Sequence, residues 1–269
     1  MNLPLNALES LVIFAGDMGT GWIGPKLPLA LHRSVLPEVP LKVEEMDCFR
    51  RQIPPTPHCP LAAPGRLSLH ARLGTMLSKG RVGAVFDIEC YIHNNKQGLS
   101  IPPLVAKIAN PLHAGDLAKE AAMYQEMLCL QGSAIPRCYG FFKFRSLENF
   151  DFGPVSVLLL EKLGERLPVG QGPDSFPPSL VQDLRDITSD FVELGIEHQD
   201  LRWANILSAG TLPSLPSPFT KRTYGWRFVD FDLAVKTDSD LPVLRGFYRG
   251  YLDRVLDNVP RGFIVEPWD

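Results

Sequence analysis

Cysteine is scarce in this chain, and its placement forms no framework. Cys48, Cys59, Cys90, Cys129 and Cys138 are odd in number and widely separated, with no Cys-x-x-Cys pair and no His-Cys cluster. That spacing argues against a zinc site or a disulfide scaffold and for reduced, intracellular thiols. A long apolar run is also missing. Nowhere do the roughly 20 uninterrupted apolar residues of a bilayer span occur. Residues 8–15 include a short apolar run, but no Lys or Arg precedes it and Asp17 comes soon after, so no secretory signal is expected. Charge of one sign is not in excess: Lys+Arg 27 against Asp+Glu 30 gives a net charge of -3, and the pI is near 6.1. A partner of the nucleic-acid class is therefore not expected.

What is present is a globular composition. The 269 residues, 45% hydrophobic, suffice for one two-lobed domain or two small ones. Of the 25 prolines, 16 cluster in 25–64, 168–178 and 211–218, marking irregular connections rather than element interiors. Residues 1–66 are set apart as an extension that packs on, or tethers, the rest of the chain. Within them Leu11 to Phe14 read as a strand. Gly16-Asp17-Met18-Gly19-Thr20-Gly21-Trp22 lacks the Gly-Lys-Ser/Thr ending of a phosphate loop and reads as a glycine-rich turn.

From Leu67 the texture changes to alternation. Leu67, Leu69 and Ala71 read as one strand, and Val85, Phe86, Ile88, Cys90 and Ile92 as another. Gly80 and Gly83 lie between them, where backbone N–H groups can approach phosphate closely or simply turn a hairpin. Lys107 stands alone in the apolar strand Leu104 to Ala109. A buried ammonium costs several kcal/mol unless an anion meets it, whereas one on an open strand face needs no partner.

The spacing of Leu117, Ala121, Tyr124 and Leu128 predicts a helix over about 116–130. On its wheel Glu120 falls about 60° from Leu117, at the margin of the apolar stripe, and Glu126 lies opposite. Glu120 is thus the candidate partner of Lys107, and Glu126 is expected on the solvated face. Tyr139 to Phe144 and Val155 to Leu160 read as strands. Ser179 is the expected cap of a helix whose buried stripe is Leu180, Leu184, Ile187, Phe191 and Leu194, with Gly195 as its stop. Ile206-Leu207 and Trp226 to Val229 read as a hairpin, ending at Asp230-Phe231-Asp232. One or two helices are expected around Leu244 to Leu256.

The polar residues of these segments carry a resemblance. His198, Asp200 and Asn205 are spaced like the catalytic loop of protein kinases, and Ser78-x-Gly80-x-x-Gly83-x-Val85 resembles the kinase glycine-rich loop with its first glycine replaced. Val105-Ala106-Lys107-Ile108 is similar to the kinase lysine strand, and Asp230-Phe231-Asp232 to the D-F-G segment. The chain, over roughly 67–235, thus resembles a divergent protein-kinase-like domain with a truncated C-terminal lobe. The resemblance implies an α+β two-lobed fold: an antiparallel-sheet N-lobe with one helix over 67–164, and a shortened, mainly helical C-lobe over 165–269.

It further implies that Gly80, Gly83 and Val85 cover the nucleotide, that Lys107 orients the ATP phosphates, and that Glu120 anchors Lys107. Asp230 and Asn205 would hold Mg2+, and Asp200 would receive or orient an acceptor hydroxyl. Backbone groups of Glu161 to Gly164 would meet the adenine. Gln199 stands where many kinases have arginine, and the A-P-E motif is missing; both departures bear on peptide recognition more than on nucleotide binding. Three functions are compatible with these residues. The first is an ATP-dependent phosphotransferase acting on a protein or small-molecule hydroxyl, with no nucleic-acid or membrane partner and an intracellular, cytoplasmic setting. The second is a nucleotide-binding pseudokinase scaffold, and the third a degenerate fragment with no nucleotide role.

Overall fold

The computed structural model describes residues 2–14, 28–53, 56–57, 59, 61, 63–93, 95, 98–144, 155–172 and 176–264. The glycine-rich segment Gly16 to Trp22 lies outside the described residues. In chain order the strands are β1 (Leu8–Phe14), β2 (Leu29–Arg33), β3 (Leu41–Lys42), β4 (Leu67–Lys79), β5 (Gly83–Ile92) and β6 (Leu104–Ala109). Helix α1 (Ala114–Glu126) comes next, then β7 (Cys138–Lys143), β8 (Ser156–Glu161) and α2 (Pro178–Leu194). The short strands β9 (Ile196–Glu197), β10 (Ile206–Ser208), β11 (Trp226–Phe228) and β12 (Val235–Thr237) precede α3 (Leu241–Asn258). None of these helices is long and apolar enough to cross a membrane.

The chain divides into two compact units, one from Met1–Glu38, Pro60–Ala122 and Arg137–Lys162, the other from Val39–Cys59, Met123–Pro136 and Leu163–Asp269. The first is a closed barrel in the order β1-β2-β7-β8-β6-β5-β4. Its pairings are antiparallel except at the seam, where β1 runs parallel to β4 with Leu11 opposite Leu69. Period-two alternation sends Leu11, Ile13, Leu31, Leu69, Leu73 and Phe86 into one core with Ala106, Phe142, Val157 and Leu159. A barrel this narrow has room for side chains and little else. Arg33 ties the seam to the far side: its Nε donates to Leu8 O at 2.8 Å and its Nη2 to Tyr139 O at 2.6 Å. In β6 and β8 every residue is buried, so both faces are covered and the strands read as near-continuous apolar runs.

The second unit holds α2, α3, the two-stranded ladder β10–β11 and a three-stranded sheet in the order β3-β12-β9. Helix α2 buries Leu180, Leu184, Ile187, Phe191 and Leu194, and Gly195 ends it in the left-handed region at φ 68. Its N-cap is Pro177, with no side-chain bond, so Ser179 lies inside the helix and is not its cap. Helix α3 begins under Asp240, whose carboxylate accepts the N–H of Val243 at 3.1 Å. Ring edges meet ring faces in this unit's core: Phe231 packs against Tyr124 and Phe191, and Phe191 against Phe228.

This architecture corrects the fold expectation. A closed seven-stranded barrel with three α-helices among the described residues is not a two-lobed kinase-like fold with a helical C-lobe. The motif spacings are local, but the ring is completed by β1 and β2, from a stretch that the motifs do not reach. Membership of the protein-kinase-like family, inferred from those spacings, is withdrawn with the fold.

Candidate functional site

The eight site residues chosen from sequence fall into two groups, one in each unit. In the barrel unit, Lys107 alternates with the core residues Ala106 and Ile108 and therefore points outward from β6. There its Nζ donates to Glu120 Oε2 of α1 at 2.6 Å. Both side chains are buried, Lys107 to 7% and Glu120 to 0% exposure. Val85 stands directly opposite Lys107 in the β5–β6 register, so these three residues share one place. Glu126, expected in solvent, is half-buried and pairs with Lys236, and it accepts a bond from Thr56 Oγ1 at 3.4 Å.

The two glycines belong to the β4–β5 turn, closed by the Gly80 N–H donating to Gly83 O at 2.8 Å. Gly83 has a packing reason of its own, because an added Cβ would come 2.0 Å from the carbonyl oxygen of Ile108. Gly80 has none of that kind; its nearest contact would be 4.0 Å away. Along the segment expected to meet adenine, three backbone donors are already engaged. Glu161 N–H bonds Arg137 O at 2.9 Å, Lys162 N–H bonds Pro103 O at 3.0 Å, and Gly164 N–H bonds Ser208 O at 3.0 Å.

In the second unit, the loop after β9 folds back on the end of β11. His198 is fully buried; its Nε2 donates to Val229 O at 3.0 Å, and its Nδ1 accepts the N–H of Asp200 at 3.3 Å. Those two bonds require a neutral ring protonated at Nε2. Burial agrees, pushing the imidazole down to about 4. Val229 N–H in turn donates to Asn205 O at 3.0 Å, which brings Asp230 beside the same loop.

Asp200 is the centre of this group. Its Oδ2 accepts from Asn205 Nδ2 at 3.0 Å and faces Arg202 Nε at 3.3 Å, while Oδ1 is buried with no hydrogen-bond partner. Burial raises its carboxyl to about 6; Arg202 and Asn205 pull it down, and Asp230 and Asp232 push it up. The backbone on both sides is strained. Gln199 at φ 59 and Asp230 at φ 69 are two of the three non-glycine residues held in the left-handed region among the described residues. Such conformations cost on the order of 1–3 kcal/mol and gather where surrounding structure enforces them, often at functional sites. Gln199 carries no residue-type signal for this conformation, whereas aspartate enters it more often than most residues. Arg202 was missed too, although it lies only two positions beyond Asp200.

Among the described residues no group of three or more His, Cys, Asp or Glu side chains is arranged to hold a metal. The expected Mg2+ ligands remain chemically suited. Asn205 Nδ2 is committed to Asp200, at 2.9 Å from its backbone O and 3.0 Å from Oδ2, which leaves the amide oxygen for a cation. Asp230 is half-buried, and its carboxylate with the Asn205 amide oxygen supplies the hard oxygen donors that Mg2+ takes. Comparison with known proteins adds no precedent: no family matches this chain, and no curated protein matches it.

Proposed function

We propose that the protein transfers the γ-phosphoryl group of ATP to a hydroxyl of a protein or small molecule, with Asp200 as the base. The observation that supports this most is Asp200 itself, one oxygen held by Asn205 and Arg202 and the other buried and unpartnered. A carboxylate raised to about 6 is ionised near neutral pH yet basic enough to take a proton in a transition state. The acceptor oxygen forms its bond to the γ-phosphorus, the bond to the β-phosphate oxygen breaks, ADP leaves, and the hydroxyl proton goes to Asp200 Oδ1. Asn205 and Asp230 would hold Mg2+, which neutralises phosphate charge when bound. ATP as donor fits an intracellular, cytoplasmic setting.

The experiment is ADP formation from MgATP with a mixed acceptor pool, alongside thermal stabilisation by MgATP. Asp200→Asn is expected to bind ATP and lose transfer. Undiminished turnover in Asp200→Asn would overturn the assignment. One observation favours a second reading, a nucleotide-binding scaffold: Arg202 at 3.3 Å steadies the negative charge of Asp200 and so weakens it as a base. ATP stabilisation with no transfer by the wild-type chain would establish that reading.

A further inference from the structure

Helices α2 and α3 of the second unit leave a groove of about 450 Å³ between them. The size is that of a small-molecule site. Its floor is apolar, formed by Val192, Leu252 and the ring of Tyr248, all buried. The Tyr248 hydroxyl is engaged elsewhere: it donates to Ile196 O at 2.8 Å and accepts the His198 N–H at 3.0 Å, so it adds no polarity to the floor.

The rim has the opposite character. Three guanidinium groups line the groove, Arg185 from α2 and Arg245 and Arg249 from α3, against a single lining carboxylate, Asp253. Arg245 is paired with Glu193 at 3.1 Å and Arg249 with Asp253 at 3.7 Å, whereas Arg185 has no ion-pair partner among the described residues. The Arg249 side chain is 85% exposed, and exposed surface pairs are weak, so the arginines can re-partner with an incoming anion. Guanidinium forks match phosphate oxygens two at a time.

From this juxtaposition of an apolar floor and an arginine rim, we propose that the α2–α3 groove binds a small phosphate monoester with an apolar body. The phosphate sits among Arg185, Arg245 and Arg249, and the body rests on Val192 and Leu252. This site does not depend on the proposed reaction at Asp200.

The test is calorimetric titration of the full chain with phenyl phosphate, inorganic phosphate and phenol. Phenyl phosphate is expected to bind one site at least about tenfold more tightly than either fragment. Arg185→Gln and Arg249→Gln, both at exposed positions, are each expected to weaken it about fivefold or more, and Ser189→Phe, which fills the groove, to abolish it. Asp200→Asn should bind phenyl phosphate as the wild type does. Unchanged binding in the Arg185→Gln/Arg249→Gln double variant, equal affinity for inorganic phosphate, or loss of binding in Asp200→Asn would each overturn the proposal.

Discussion

The Lys107 ammonium and the Glu120 carboxylate meet at 2.6 Å, strand to helix, with both groups almost wholly removed from water. Removing one partner strands the other charge in a low-dielectric setting, at a cost of about 3–5 kcal/mol. Lys107→Ala and Glu120→Ala are each expected to lose stability on that scale in urea unfolding. The double replacement Lys107→Met with Glu120→Leu should lose much less, because no lone charge is left behind.

Asp200 sets a pH dependence of definite sign. Its folded carboxyl is raised to about 6 from 3.8, so the folded state holds the proton more tightly than the unfolded chain. The stability this contributes is full below about pH 4 and lost as pH rises through about 6. Asp200→Asn should therefore be more stable than wild type at pH 8, by about 3 kcal/mol, and no more stable at pH 4. In the wild type, phosphoryl transfer should rise with pH with a midpoint near 6.

His198 works in the other direction. Its ring is depressed to about 4 from 6.5, so the unfolded chain takes up a proton first. The contribution of this group is full above about pH 6.5 and lost as pH falls toward 4. Replacing it with Gln is expected to lower stability at pH 7 and to flatten the decline between pH 6.5 and 4.5. Urea midpoints across that range check both effects.

The two glycines of the β4–β5 turn should respond differently. Gly83→Ala drives a Cβ into the Ile108 carbonyl at 2.0 Å, so the β5–β6 ladder must part, with an expected loss of about 3 kcal/mol. Gly80→Ala meets nothing closer than 4.0 Å and should leave the melting temperature nearly unchanged. A fall in ATP affinity in Gly80→Ala alone would then report contact with the nucleotide and not a damaged barrel.

Gly246 and Gly250 sit within α3, and an added Cβ at either meets nothing within 4 Å. Glycine inside a helix is about 1 kcal/mol less favourable than alanine. Gly246→Ala and Gly250→Ala should each stabilise the chain by about that much, as read from denaturation midpoints.

Several elements were legible in the amino-acid order because their signal is local. The apolar period of Leu180, Leu184, Ile187 and Phe191 and the stop at Gly195 mark α2, and the wheel position of Glu120 selected the true partner of Lys107. The barrel was not legible. β1 is apolar toward both faces, and its parallel partner β4 lies far along the chain, with Ser10 bonded to Ser68 at a separation of 58 residues. No turn sequence announces a parallel pairing, so the motif spacings were extended into a lobe arrangement that the chain does not form. At the candidate site, Asp200 and Asn205, singled out by their spacing, are in hydrogen-bond contact. The left-handed backbone of Gln199 was hidden because glutamine seldom takes that conformation, whereas Asp230 belongs to a residue type that takes it more often.

Closure of the ring also sets an order of events during synthesis. β2 takes its second neighbour from β7, with His32 opposite Lys143, so the first hairpin emerges long before its partner exists. Until then Leu11, Ile13 and Leu31 have no closed interior to enter, and the β2 edge of the hairpin stays open to other chains, β1 being met earlier by β4. The nascent polypeptide is therefore most vulnerable to aggregation until β7 emerges, and a chaperone that shields this hairpin would act before the Asp200 loop has been made.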